Sequence, residues 1–277
     1  MATTQKTVSP KKKEGFQGIR AAFWVIVICF IIALCIYNFL LGSPANFTPG
    51  GGAEAKPINI LGTIYMGGPV VPVIHTLMLT VIALSIERYF ALRSAFGKGA
   101  LTKFVLNIKA ALNSNDFAKA QQLCDKQRGS VANVVLASLN EYKAMESATG
   151  LKKSQKVAKI QQAHEEATQL EMPTLQMNLP IIATITTLGT LTGLLGTVIG
   201  MIRSFQALAA GGGGDSLQLS TGISEALINT AFGIGTSWLA VISYNTFTNK
   251  IDKLTYALDE VGYSIAQTYE ANHAEEA

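Results

Sequence analysis

Glu225 is the side chain around which chemistry can be built. It lies in the stretch Ser216 to Lys250 (SLQLSTGISEALINTAFGIGTSWLAVISYNTFTNK), and no formal charge follows it until Lys250. With Asp215 and Ser216 as candidate N-caps behind the glycines Gly211 to Gly214, the stretch reads as one long helix. Glu225 then sits roughly 13 Å along it at 1.5 Å per residue, inside a segment apolar enough to cross a bilayer. An ionised carboxylate there costs at least a few kcal/mol, so it marks a functional site or a snorkelling interfacial group. Asn229 follows one turn later, and Gly233, Thr236, Ala240 and Ser243 continue the same side. A small, polar stripe on an apolar helix faces protein or water rather than lipid. A carboxyl group in such a lining can take up and release a proton, with hydroxyl and amide groups as transfer partners.

A second apolar segment supplies those partners. Within Ala183 to Gly200 (ATITTLGTLTGLLGTVIG), Gly189, Gly193, Gly196 and Gly200 fall on one face at the small-xxx-small spacing that lets a neighbouring helix approach closely. Thr186, Thr190 and Thr197 share an adjoining face. Each hydroxyl can bond back to its own helix or take part in a polar lining beside Glu225.

The elements that must hold these residues are helices, and the sequence marks four that span a membrane. Half of the chain (49%) is hydrophobic and only 14% is charged, against about a quarter in ordinary soluble proteins. The charges avoid whole windows, which is the mark of an integral membrane protein. A lysine-bearing tail at 1–20 precedes the charge-free run 21–42, which is long for a signal-peptide core and reads as a retained anchor. Residues 43–68, rich in Pro and Gly, read as a loop without regular structure. A second span covers 69–92, and 93–171 is a charged, helical stretch. There Asn115-Asp116, Gly129-Ser130 and Thr149-Gly150 mark breaks, and Val157, Ile160, Ala163 and Ala167 form a thin apolar seam on Leu151 to Leu170. The third span is 172–205, its return loop 206–215, the fourth span 216–250, and a helix and tail follow at 251–277. The fold class is therefore all-α: a polytopic membrane protein with four transmembrane helices and a helical cytoplasmic domain. Lys and Arg concentrate in the N-terminal tail, in 93–171 and after Lys250, so these segments, both termini included, are expected in the cytoplasm and 43–68 and 206–215 outside.

Other functions lack support. Cys29 and Cys35 lie in an apolar run and Cys124 in a charged one, a pattern that suits neither a disulfide framework nor a metal site, and His75, His164 and His273 are scattered. Gly211–Gly214 has no Lys in the context that a phosphate loop needs. No serine has a matching His and Asp. The net charge of +4 is weak and spread, which argues against nucleic acid. No cofactor, metal or enzymatic activity is expected. The residues alone point to an ion-conducting or ion-coupled membrane protein with Glu225 on the path.

GLLGTVIGMIRSF (Gly193–Phe205), GISEALINTAFGI (Gly222–Ile234), Tyr244-Asn245, Ile86-Glu87-Arg88 and Asn178-Leu179-Pro180 together resemble the ExbB/TolQ/MotA proton-channel family, with ExbB and TolQ nearest. The resemblance covers about 70–277. It implies that Glu225, Thr197 and Thr230 match the family's pore-facing Glu and two Thr. It further implies a homopentamer in the bacterial inner membrane, lipid around it, and the helices of an ExbD/TolR-like partner inside. Proton flow would then move a TonB- or TolA-like protein, as in the TonB system of outer-membrane transport. The sequence departs from the family at Thr190 and Leu239, where Pro is usual, at Asn229, where a small apolar residue is usual, and in the extra helix 21–42. Two other readings stand beside this one: a TolQ- or MotA-like stator for envelope maintenance or motility, and a non-conducting scaffold.

Overall fold

The computed structural model describes residues 22–49, 56–210 and 216–274. The tail 1–20, the glycines Gly50–Gly52 and the capping segment Gly211–Asp215 lie outside the described residues. Among the described residues the regular elements are helices, with one isolated β-bridge between Phe47 and Pro57. Four helical stretches are long and apolar enough to cross a membrane. The chain divides into two compact units, one of Ile19–Arg88 and Asn178–Phe247, the other of Tyr89–Met177 and Thr248–Ala277.

In the first, apolar unit, α1 (Ala22–Cys35) continues as a π-helical turn over Ile36–Leu41. Phe23, Trp24 and Ile28 are exposed, as on a surface meant for lipid or for another apolar partner. The segment expected to be a structureless loop is in fact built. Pro44–Asn46 forms a 3-10 turn and α2 (Ile60–Tyr65) a short helix. Two asparagines account for this. Asn46 donates through Nδ2 to the carbonyls of Leu40 (2.7 Å) and Leu41 (2.9 Å). Asn59 caps α2 by accepting from the Gly62 N–H at 2.9 Å, and donates to Asn46 Oδ1 at 2.9 Å. Tyr37 stacks on Tyr65 with centroids 4.6 Å apart and donates to its carbonyl at 3.3 Å. The extra helix is thereby fixed to the residues that lead into α3 (Val70–Phe96).

The third span begins later than its charge-free run suggests. α7 (Lys153–Gln176) carries on through Pro173, the chain turns at Met177-Asn178, and α8 (Leu179–Ala210) starts there. Asn178 adopts φ +65, a region Asn tolerates, and Pro180 fits the first turn of a helix, where no N–H is needed. The helix of the fourth span and the helix expected after it are continuous: α9 runs unbroken from Ser216 to Asn272. No Pro follows Lys250, Gly262 is taken up within the helix, and Ile251, Leu254, Leu258, Val261, Ile265 and Tyr269 carry on a buried stripe.

The second, polar unit packs that stripe with α4 (Leu101–Asn113), α5 (Phe117–Gln127), α6 (Gly129–Ser147) and α7. α4 buries Phe104, Val105, Ile108, Ala111 and Leu112, one helical face. Asn115 (φ +52) turns the chain, and Asp116 caps α5 by accepting from the Lys119 N–H at 2.9 Å. The inward seam of α7 shares only Ile160 with the one expected. Lys156, Ile160 and His164 are buried, while Val157, Ala163 and Ala167 flank them half-buried. His164 Nδ1 lies 2.9 Å from Ser138 Oγ, and its ring occupies space left by Gly262, where a Cβ would meet it at 2.5 Å. Burial pushes its pKa below the ordinary value, partly offset by Asp259 and Glu165.

Candidate functional site

The site lies along the seam between α8 and α9, and glycines set how closely those helices approach. Added Cβ atoms show the contact. On Gly193 the nearest atoms would be the Asn229 carbonyl and Gly233 Cα, at 3.0 and 3.1 Å. On Gly233 it would stand 2.7 Å from Gly193 Cα. Gly189 meets Ser237 and Gly233, Gly196 meets Asn229, and Gly200 meets Gly222 and Ala226. All four glycines of α8 therefore face α9, with backbone close to backbone at Gly189, Gly193 and Gly200 and the Asn229 side chain against Gly196.

Beside this seam runs a ladder of polar contacts between the two antiparallel helices. Thr190 donates to Ser237 Oγ at 2.8 Å. Thr197 and Thr230 share a hydrogen bond between their hydroxyls. Arg203 donates through Nη1 to Glu225 Oε1 at 2.7 Å. The first two rungs are seven residues apart on each helix, roughly 10 Å. Glu225 comes five residues before Thr230 and about 140° round the helix from it.

The Thr197 hydroxyl, read as a possible neighbour of Glu225 in a polar lining, is not bonded to it. Thr197 is paired with Thr230, and Glu225 turns instead to Arg203 and to the start of α3. Glu225 is 5% exposed at the side chain and Arg203 48%. Gly68, with φ +71, covers the pair: a Cβ there would lie 2.4 Å from Glu225 Oε1 and 3.2 Å from Arg203 Nη1. A positive φ and no room for a side chain both call for glycine.

Asn229, expected in the polar lining, is fully buried and donates to the Gly67 carbonyl at 2.8 Å. Its Oδ1 has no hydrogen-bond partner among the described residues. In the single chain it ties α9 to the α2–α3 junction and lines no open surface. Thr186 donates to the Ala183 carbonyl of its own helix at 2.6 Å. Thr186, Thr190, Thr197 and Thr230 are all half-buried. His75, buried nearby in the sequence of α3, sits 2.9 Å from the Val71 carbonyl and 5.2 Å, centroid to centroid, from Phe232.

An ion pair buried on both sides closes the other end of the apolar unit. Glu87 accepts from Arg88 Nε at 2.6 Å and from Asn178 Nδ2 at 3.2 Å. This joins the last turn of α3 in that unit to the residue that starts α8, so the two short motifs Ile86-Glu87-Arg88 and Asn178-Leu179-Pro180 are one structural feature.

A model of the MotA/TolQ/ExbB proton channel family matches residues 128–260. The Tol-Pal system protein TolQ of Pseudomonas aeruginosa is 30% identical over 190 residues, covering 66% of this chain and 81% of that protein. The putative biopolymer transport protein ExbB-like 3 of Synechocystis is 30% identical over 184 residues, 65% of this chain and 81% of its own length. The biopolymer transport protein ExbB of Helicobacter pylori is 36% identical over 81 residues, 29% of this chain and 56% of that one. The chain belongs to the MotA/TolQ/ExbB proton channel family. As a MotA/TolQ/ExbB protein with four apolar spans it is a bacterial inner-membrane protein. The TolQ and ExbB likenesses support it equally as a proton-channel energiser.

Arg203 is the residue that the sequence reading missed. It stands directly after the charge-free run that ends at Ile202. A signal was present: Arg203 and Glu225 are the charges that bound the facing ends of the two apolar runs on one side, so antiparallel helices can bring them together.

Proposed function

We propose that the chain is the channel subunit of a proton-driven motor, with Glu225 as the proton-handling group and Arg203 as its electrostatic partner. The observation that carries this is the Arg203–Glu225 contact at 2.7 Å, with the carboxylate buried and the guanidinium half-exposed. While ionised, the carboxylate holds Arg203 in a charge-assisted pair, whereas the protonated acid keeps only a neutral acceptor oxygen. Protonation therefore removes the charge, weakens the hold on the guanidinium and changes which state of the α8–α9 seam is favoured. Proton loss restores the pair. Proton occupancy thus becomes a mechanical difference between two arrangements of one hairpin.

Thr197, Thr230 and Thr190 are half-buried hydroxyls that accept and donate, which suits them to pass a proton along the remaining length of the seam. Asn229 and the glycines of α8 hold the two helices at fixed separation. In this reading the path is completed by copies of this chain in a ring, with an ExbD/TolR-like helix supplying the acidic carrier. The ring is a pentamer in this reading. Both termini and the polar unit face the cytoplasm, as the distribution of Lys and Arg favours. The output is movement passed to a TonB-like protein that energises outer-membrane transport.

A TolA-linked role in envelope maintenance is the second reading. It is favoured by the Pseudomonas aeruginosa TolQ likeness, which extends over 81% of that protein. Co-purification decides between them: a TonB-like partner supports the first and a TolA-like partner the second. For the channel itself, Arg203→Gln reconstituted with its small partner is expected to conduct protons poorly while the complex stays whole. Unchanged flux would remove Arg203 from the mechanism.

A further inference from the structure

We propose that the polar unit carries a binding site for the headgroup of an anionic phospholipid, between α3 and α9. A pocket of 370 Å³ lies there with Arg93, Lys250 and Lys253 around it, and its seven lining residues include no carboxylate. Tyr89, Arg93 and Phe96 recur along one face of α3, and Lys250 and Lys253 along one face of α9. Arg93 and Lys253 are exposed, and Lys250 lies with Nζ 5.3 Å from the centre of the Tyr89 ring, an orientation held by the ring's negative face. Gly97, φ +79, ends α3 at the pocket and packs against the carbonyls of Gln127 and Arg128 with no room for a Cβ. The position of Arg93 at the helix end is thereby fixed by the fold.

Three cations argue for an anion, and the rest of the wall argues for a lipid. Leu92, Phe96 and Tyr89 give the pocket an apolar side, and Phe90, next to Tyr89, is 54% exposed. A free anion gains nothing from that surface, whereas an acyl chain does. The place along the chain agrees. On α3 these residues follow the apolar run that ends at Ile86, and on α9 Lys250 is the first charge after Glu225. Basic pockets just beyond membrane spans, flanked by interfacial aromatics, bind phospholipid headgroups. A phosphodiester with one negative charge would lie among the three cations, its chains along the Tyr89–Phe90 side.

The test uses the full chain purified in detergent, melted with added phosphatidylglycerol, phosphatidylethanolamine or inorganic phosphate. Phosphatidylglycerol is expected to raise the melting temperature, phosphatidylethanolamine to do so far less, and phosphate not at all. The Arg93→Gln/Lys253→Gln double variant should lose about thirtyfold in apparent affinity for phosphatidylglycerol. Arg93→Lys/Lys253→Arg, and Lys119→Gln/Lys126→Gln on exposed α5 positions away from the pocket, should keep it. Should the glutamine pair fail to fold, the single exposed-site variant Lys253→Gln reads the same loss at smaller size. Equal stabilisation by both lipids, or a normal response in the glutamine variants, overturns the proposal. Equal stabilisation by phosphate and phosphatidylglycerol also overturns it and leaves a free-anion site.

Discussion

Arg203 and Glu225 meet across α8 and α9 with Nη1 2.7 Å from Oε1, although one opens and the other closes a stretch that carries no other charge but Asp215. The pair is asymmetric, because the acid is buried and the base is half in the open. Removing the base strands a buried carboxylate, a change that costs more than the exposed pair contributes. Arg203→Gln should lower the melting temperature of the chain in detergent and reduce proton flux, and Arg203→Lys should restore part of both. A variant as stable and active as the parent would mean that the contact is incidental.

Gly68 gives a steric test of the same pair. In Gly68→Ala the new methyl meets Glu225 Oε1 at 2.4 Å, and a left-handed φ adds strain. Together these effects should cost about 1–3 kcal/mol. The predicted outcome is an assembled protein with weakened flux, since the carboxylate must move off Arg203. Gly150, also at positive φ but with nothing near its added Cβ, is the control for backbone strain alone.

Along the glycine seam, Gly233→Ala should be severe for its size. Its methyl would fall 2.7 Å from Gly193 Cα and from the Gly189 carbonyl, which are backbone atoms with no rotamer to change. Overpacking of this kind costs about 1–3 kcal/mol. Gly235→Ala, where an added Cβ meets nothing, should be neutral in the same melting assay.

His164 makes the stability of the polar unit depend on pH. Burial lowers its pKa, so the folded state binds a proton less readily than the unfolded one. Its contribution is fully present above the unfolded value of about 6.5 and is lost as pH falls through it. Melting temperature should therefore drop between roughly pH 7.5 and 5.5, and His164→Gln should flatten that drop. A parallel curve for the variant would assign the acid sensitivity to other groups.

Much of the site was legible because its signals are periodic or isolated. Gly189, Gly193, Gly196 and Gly200 show their shared face by spacing alone, and Glu225 stands out because nothing charged surrounds it. What escaped depends on contacts between distant residues. Asn46 reaches Leu40, Leu41 and Asn59 through side-chain hydrogen bonds, so a segment that looks broken by Pro and Gly is held in shape. Asn229 looked like lining and is spent on the Gly67 carbonyl, because helical spacing gives a face but not what covers it. His164 and Lys156 occupy the buried seam of α7, where an apolar rule selects the alanines beside them.

The most direct test of the central claim is proton flux through the intact complex carrying Glu225→Gln. The amide keeps the size of the side chain and still accepts from Arg203, but cannot cycle a proton. Assembly with flux reduced to background is the predicted result. Flux at the parental level through an assembled complex would show that protons pass without Glu225.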